Sequence, residues 1–388
     1  MPFAPKPGIL SQTHLSRHLF DDKRLTFAST RVGYGQGLVE AGRKNSLIVV
    51  LCCDVTQSTH SAEFKKTYPD RFIQLGVSEQ SAASIAAGMA LCGKKPFVSA
   101  YAAFSPGRNW EQIRTCICLQ HLPVVIVGSH AGVGVGPDGA THQMTEDIAL
   151  MRSLPGMTVV VPADQIEAKK ATLAIAKLFS PSYLRLARES SPIFTTTKTP
   201  FRIGRAEVYR QGTDVTLIAA GPILYEALVA AHDLAKQGIQ VRVINCHTIK
   251  PLDTKTILAA AKQTGAFVTC EDGQVAGGLG GAVAEYLTAS CPIPLERIGI
   301  QDHFGTSGEA PELQTAYGLT APFIVLAAKR ALDRKFGKKV SLIPEYLILA
   351  QKKETELKRV ISKEALARTP KKWGGSKPDF TLLSRHSS

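Results

Sequence analysis

Four polar stretches of the chain carry residues whose types and spacing could do chemistry. The densest is Ser129–Gln143, SHAGVGVGPDGATHQ, which sets His130, Asp138 and His142 among glycines. Aspartate and histidine supply hydrogen bonds and proton transfer, and glycine lets backbone approach a ligand closely. A surface loop with incidental histidines stays open as the bland alternative. In the second stretch, Gly76–Glu79, an acid follows a short apolar strand (Phe72, Ile73, Leu75) and opens an alanine-rich helix, with Ser78 as the expected N-cap. Taken alone, Glu79 reads as an acid that complements the positive end of the helix dipole. The third, Tyr101–Asn109, offers Tyr101 and Phe104 as flat apolar walls, which ordinary core packing would explain as well. The fourth, VTQSTHS after Asp54, contains Ser58. Arg188, closing the strand-like YLRLA, presents a guanidinium suited to an oxyanion, with a plain surface arginine as the alternative.

The elements that must position these residues alternate between strand and helix. Strands are expected at Ser46–Cys53, Phe72–Leu75, Phe97–Ala100, Val124–Gly128, Thr158–Val161 and Tyr183–Leu186. Helices are expected at Ser29–Ala41, with Arg31 near its start, then Ser78–Gly93, Arg108–Gln120, Thr145–Ser153 and Gln165–Leu178. That alternation predicts a mostly parallel sheet covered on both faces, with ligands at the carboxyl ends of its strands, where the four polar stretches fall. The alanine stripe of the Glu79 helix (Ala82, Ala83, Ala86, Ala90) predicts a close-packed junction of domains or subunits.

The polar, threonine-rich segment Ser190–Pro200 reads as a linker to a second α/β domain. Its strands are expected at Ala206–Tyr209 (an edge), Val215–Ala219, Val241–Ile244, Phe267–Cys270 and Glu296–Ile300. Its helices are expected at Leu224–Gln237, Thr254–Thr264, Gly281–Ser290 and Ala321–Lys335. The organisation is thus two doubly wound, mostly parallel α/β domains: an N-terminal arm at 1–23, a first domain at 24–190, a linker at 191–204, a second domain at 205–336 and a basic tail at 337–388. Within the tail, a charged helix is expected at Glu345–Ala367.

Composition narrows the function classes. The 388 residues are 44% hydrophobic and 20% charged, as in a globular protein, and no apolar run is long enough to span a bilayer. The opening residues, MPFAPKPGIL, lack the pattern of a secretory signal, so a cytoplasmic location is expected. None of the eight cysteines forms a C-x-x-C pair; buried thiols explain them better than disulfides or a metal site. The net charge of +14 is concentrated after Arg334, where about fourteen Lys/Arg face five acids. A solvated tail without aromatic interleaving makes nucleic acid an unfavoured partner. Gly134, Gly136 and Gly139 match a dinucleotide fingerprint, which raises a nicotinamide oxidoreductase as the rival class. Against it, the pattern does not turn at once into a helix, and Asp138 would stand where a pyrophosphate should sit.

LGVSEQ, GRNWEQIR and SHAGVGVGPDGATHQ, in that order and spacing, resemble the C-terminal half of transketolase, and in particular the small subunit of its split form. The match extends through IALMRSLPGMTVVVPAD, YLRLAR, INCHTIKPLD and GGLGGAVAEYL, over about residues 25–330. The resemblance implies a pyrimidine-binding fold followed by a transketolase C-terminal-like domain. It also implies transfer of a two-carbon ketol unit from a ketose phosphate to an aldose phosphate with thiamine diphosphate. It casts Glu79 as the acid on the aminopyrimidine N1′, Phe104 and Tyr101 as the wall against that ring, and Arg31, Ser58, His130 and Arg188 as phosphate-binding residues. Asp138 and His142 would hold the sugar near the reacting carbon, His142 as a catalytic residue. The Gly-Asp-Gly motif that anchors the diphosphate through Mg²⁺ is missing; Pro137–Gly139 and Glu271–Gly273 do not fit it. The resemblance therefore implies no metal ligand in this chain and a partner, the transketolase N-terminal subunit, in a two-plus-two assembly. Deoxyxylulose phosphate synthase and the beta subunit of 2-oxoacid dehydrogenases share the strand–Glu–helix device and are the nearest alternatives. A noncatalytic interaction subunit is a further one. In the second domain, Gly277–Gly281 before a helix reads as close backbone packing rather than an anion site.

Overall fold

A computed structural model describes residues 8–21 and 23–368 of the chain. Two sheets organise it. The first has seven strands, in the spatial order Thr248–Lys250, Thr158–Val160, Ser182–Arg185, Val125–Ser129, Lys95–Tyr101, Ile48–Cys52 and Phe72–Gln74. Six are parallel, and the strands at 48–52, 95–101 and 125–129 are buried along their whole length or all but the last residue, as expected of strands covered on both faces. The chain leaves Ile48–Cys52 outward to Phe72–Gln74, then returns to Lys95–Tyr101 on the other side. Strand order therefore reverses between these neighbours, and outside their carboxyl ends is where doubly wound sheets form a ligand crevice.

The seventh strand was not foreseen. Thr248–Lys250 belongs to the second domain's stretch of chain, yet it pairs antiparallel with Thr158–Val160 of the first sheet. The second sheet orders its strands Leu295–Ile300, Phe267–Gln274, Val215–Ala219, Val241–Asn245 and Glu207–Arg210, the last at the edge, as expected, and antiparallel to its neighbour. One apolar cluster runs unbroken from Leu51 and Ala86 through Met151 and Val159 to Ile249 and Leu279. The domains share a core rather than merely touching.

The Glu79–Leu91 helix follows its strand as the sequence predicts, but two details differ. Ser78 occupies the N-cap position without capping; its hydroxyl donates instead to the Leu75 carbonyl at 2.7 Å. The alanine stripe does not await a partner: Ala82, Ala83, Ala86, Ala87 and Ala90 are buried in this chain's own core against Val98, Ile113 and Ile117. Small side chains let the helix lie close on its neighbours. The helix expected at Arg108–Gln120 is one α turn, Trp110–Gln112, that widens into a π-helix over Ile113–Cys118. Such widened turns frequently occur beside functional sites.

The ends are more folded than their composition suggests. Residues of the N-terminal arm pair with the edge strand (Leu10 N–H to Tyr209 O, 3.0 Å) and with the linker (Ser16 N–H to Phe194 O, 2.8 Å), and Leu19 is fully buried. This contact covers an edge that would otherwise offer unpaired backbone. Beyond Phe336, the helix Glu345–Arg368 begins by packing on the second domain: Tyr346 is buried, its hydroxyl donates to Glu296 at 2.9 Å, and Leu347 and Leu357 join the core. Part of the stretch expected to be a solvated tail is thus a docked helix; residues 369–388 lie outside the described residues. Among the described residues, no helix is long and apolar enough to cross a membrane.

Candidate active site

The crevice at the strand-order reversal gathers side chains from five elements. Arg31 stands in the first turn of Thr30–Lys44, a helix held close to Gln165–Ile175. A Cβ on Gly33 would lie 1.9 Å from the Gln165 carbonyl oxygen, so only glycine fits there. The helix start is tied to the end of another strand, with the Ala187 N–H donating to Thr30 Oγ1 at 2.9 Å. Arg31 then spans the crevice, donating to the carbonyls of Ser58 (2.6 Å) and Arg188 (2.6 Å) and contacting His130 Nε2 at 3.1 Å. Its cationic form is fastened by backbone dipoles, not cancelled by a carboxylate. Burial, and next the charge of Arg188, lower its pKa.

His130 is buried, in a left-handed backbone conformation (φ +57°), with its ring stacked on Tyr101 at 3.7 Å between centroids. Because Nε2 accepts from Arg31, Nδ1 carries the proton and donates to Ser129 Oγ at 3.0 Å, which itself donates to the Ala100 carbonyl at 3.0 Å. Burial, followed by the charges of Arg31 and Arg188, pushes the His130 pKa down to about 3, so the ring is neutral. Ser58 contributes its main-chain carbonyl to this corner. Arg188 is half-buried, turns its guanidinium onto the Val135 carbonyl and lies 3.7 Å from Glu189.

Tyr101 also lies nearly parallel to Phe104 (6.1 Å, 17°), and His142 meets Phe104 edge-on at 5.4 Å. His142 Nδ1 pairs with Thr141 Oγ1 at 2.9 Å. Asp138 is exposed at the end of the 3-10 stretch Val133–Asp138, two short turns joined by a kink at Gly136 (φ +78°). The glycine pattern Gly134–Gly139 therefore sits on that stretch, not on the strand-to-helix turn a dinucleotide fold requires.

Glu79 lies at the other end of the aromatic wall and is 2% exposed. Its carboxylate accepts from Arg108 Nη1 at 2.9 Å, and the Arg108 guanidinium lies 4.8 Å above the Phe104 ring. Asn109, fully buried, donates to the Glu79 main-chain carbonyl at 2.9 Å and so fixes the helix start against the Tyr101–Asn109 stretch. Hydrogen bonds and ring contacts thus link Arg31, the Ser58 carbonyl, His130, Arg188, Tyr101, Phe104 and His142, and through Arg108 they reach Glu79; Asp138 is exposed at the end of the adjoining turn.

Sequence reasoning missed three contributors. Arg108, inside the quoted GRNWEQIR, looked like a helix-start arginine with nothing to mark its partner. His60, in the loop of Ser58, has its pKa lowered by burial and then by Arg31, which places it against the same cationic corner. Gln143, beside His142, donates to Val133 O at 3.2 Å and, from its first-domain position, to Thr306 O at 2.9 Å. A glutamine among glycines gave no signal of that reach.

The fold and this crevice define a recognised pair of domains. Residues 27–192 match the family described as "Transketolase, pyrimidine binding domain" and residues 204–324 match "Transketolase, C-terminal domain". The chain belongs to the transketolase family, whose members depend on thiamine diphosphate. It is 42% identical over 310 residues to the "Putative transketolase C-terminal section" of Methanocaldococcus jannaschii, covering 79% of this chain and 96% of that one. It is 40% identical to the "6-deoxy-6-sulfo-D-fructose transketolase subunit SqwH" of a Clostridium species, covering 77% and 92%. A solved structure described as "Split gene transketolase, inactive beta4 tetramer" is similar with a TM-score of 0.75 and 42% identity, covering 79% of this chain and 99% of that one. These findings agree with the resemblance drawn from LGVSEQ, GRNWEQIR and the His130–His142 loop.

Proposed function

We propose that this chain is the C-terminal subunit of a two-chain, thiamine diphosphate-dependent transketolase that moves a two-carbon ketol unit from a ketose phosphate to an aldose phosphate. One observation carries the reading: a buried carboxylate, Glu79, and a cationic corner, Arg31 with Arg188, in which Arg31 is held by main-chain carbonyls rather than by a carboxylate, flank the same aromatic wall of Tyr101 and Phe104. The pyrimidine half of the cofactor suits one end of that wall. Glu79 would accept a hydrogen bond at the aminopyrimidine N1′ and hold the proton shared there, while Phe104 and Tyr101 shield the ring from water. When bound, the cofactor supplies a nucleophilic thiazolium carbon and an electron sink.

The cationic corner would take the anionic end of the sugar. Arg31 and Arg188 present N–H groups and charge, Ser58 a hydroxyl, and neutral His130 orients Arg31 without adding a competing cation. Asp138 and His142 would hold the sugar's hydroxyls and carbonyl oxygen near the reacting carbon, and His142 would move a proton at those oxygens. The residues present do not suit the diphosphate end. Among the described residues no group of three or more His, Cys, Asp or Glu could hold a metal ion, and the sequence has no Gly-Asp-Gly. We assign Mg²⁺ and the diphosphate to a partner, the transketolase N-terminal subunit, in an assembly of two plus two. The eight cysteines, all free, suit a reducing compartment such as the cytoplasm.

A sulfonated ketose is the second reading of the substrate, because the corner would serve any tetrahedral oxyanion and a relative's name carries a sulfo-sugar. The test is co-purification of the chain with its companion, followed by assay with pentulose and hexulose phosphates and with 6-deoxy-6-sulfofructose. The pair should turn over at least one of them, and the chain alone should not. Tight binding of thiamine diphosphate and Mg²⁺ by the chain alone, with turnover, would sink the half-site reading.

A further inference from the structure

The Glu271–Gly273 stretch, which fails as a diphosphate motif, sits against the sugar loop. Asp272 comes from the second domain's strand Phe267–Gln274, yet its Oδ1 accepts the Val133 backbone N–H at 3.0 Å. Val133 opens the first of two short 3-10 turns that, joined by a kink at Gly136, end at Asp138, and its N–H is a donor that the turn itself leaves unpaired. The preceding Gly132 has φ +81°, and a Cβ there would fall 2.1 Å from Asp272 Oδ2. The carboxylate and the glycine are thus complementary: the turn can start only where a side chain is absent and an acceptor is supplied from across the domain boundary.

Further contacts fix Asp272 itself. Arg185 donates to the Asp272 main-chain carbonyl at 2.6 Å and, through Nε, to Asp147 at 2.8 Å, in an ion pair buried on both sides. Burial raises the Asp272 pKa, opposed by Arg185 and by the N–H groups of Val133 and Gly134. Gln143 closes the other end of the loop onto Thr306 of the second domain.

We propose that Asp272 is a positioning residue: it caps the Val133–Asp138 turn from the second domain and thereby sets where Asp138 meets the sugar. This rests on the reading of Asp138 as a sugar-binding residue, and it gives the second domain a part in substrate selection beyond assembly. The carboxylate acts through the turn and touches no reacting atom.

The test uses full-length Asp272→Ala and Asp272→Asn. In the full chain alone, hydrogen exchange at Val133 and Gly134 should accelerate at least tenfold in Asp272→Ala and less in Asp272→Asn, whose Oδ1 still accepts. In the two-chain enzyme, Asp272→Ala should raise KM for xylulose 5-phosphate at least fivefold. It should lower the preference for that sugar over its C3 epimer, ribulose 5-phosphate, by a similar factor. Thiamine diphosphate affinity should stay within twofold and kcat within threefold, a split that general unfolding would not produce. Unchanged KM and epimer preference overturn the proposal, whether or not exchange accelerates. If Asp272→Ala fails to assemble, Asp272→Leu, which likewise removes the acceptor, is judged by the same measurements. Asp138→Ala separates the two ideas. If it leaves epimer preference unaltered, the sugar-binding reading of Asp138 falls; if it abolishes the preference while the Asp272 variants retain it, only the Asp272 proposal falls.

Discussion

The two ends of the aromatic wall solve opposite electrostatic problems. At the His130 end, Arg31 is held by two main-chain carbonyls and a neutral imidazole. Its position is fixed while its charge remains available, because carbonyl dipoles orient a guanidinium without neutralising it. At the Glu79 end, a buried carboxylate is neutralised by Arg108, whose side chain is 47% exposed. Arg108 reaches solvent and regains hydration when it swings away, whereas Glu79 stays buried and needs another partner in its place. On the proposed reading, one end is organised in advance for an anion, and the other exchanges its partner when the cofactor binds. Arg108 also lies over Phe104, so a planar cationic group already occupies both surfaces that an aminopyrimidine would use.

The largest effect expected from breaking this contrast is at Glu79. Glu79→Gln keeps the shape and the contact with Asn109, which uses the main chain, but removes the charge. Turnover of the two-chain enzyme should fall by about a thousandfold or more, an order typical of losing a proton-sharing group, with little change in KM for the sugar. Retained turnover would remove Glu79 from the chemistry.

Arg31→Met should come next. It leaves the carbonyls of Ser58 and Arg188 without their donor, at about 1–3 kcal/mol for such buried groups. It also removes one of the two cations at the anion end. The expected signature is a ten- to hundredfold rise in KM for phosphorylated sugars, by analogy with the ~1.4 kcal/mol per tenfold scale, with kcat much less affected. A fall in kcat with KM unchanged would contradict a ground-state anion corner.

Arg108→Ala sharpens the comparison. If Arg108 is a removable partner, thiamine diphosphate should bind the two-chain enzyme severalfold more tightly, and the melting temperature of the chain without cofactor should fall, because Glu79 is left buried without its ion partner. Weaker cofactor binding would make Arg108 a fixed ligand, and the two ends would then be alike.

What was legible beforehand follows the same division between local and distant. The helices Thr254–Thr264 and Ala321–Lys335 run as their periodicity predicts, because an apolar stripe and end signals are local properties. Glu79, His130 and His142 could be placed together because a parallel sheet delivers its strand ends to one side, but Glu79 taken alone read as a helix-dipole acid and drew its proposed role from the family resemblance. The strand Thr248–Lys250 was not visible: three residues carry too little pattern, and their pairing partner lies in the other domain. Nor was the short helix Ala310–Ala316, which packs beside the Val133–Asp138 turn. Arg108 and Asp272 are likewise defined by what they meet across space, and residue type alone does not encode that.

The smallest predicted effect tests whether the His130 end is organised by burial alone or for an anion. Burial holds the His130 pKa at about 3, against an ordinary value of 6.5. As pH falls through 6.5 the unfolded chain gains a proton that the folded chain refuses until about pH 3, so stability drops across that window and is unaffected above it. His247, buried against Phe201 at the domain junction, is pushed down to about 3 by burial as well and titrates in the same window. His130→Gln and His247→Gln should therefore each flatten the fall in unfolding midpoint between pH 6.5 and 4, and to similar extents. Only His130→Gln should also raise KM for the sugar phosphate, because only His130 touches Arg31. If both variants changed KM equally, the effect would come from the shared core, and the anion corner would lose its claim to be specially built.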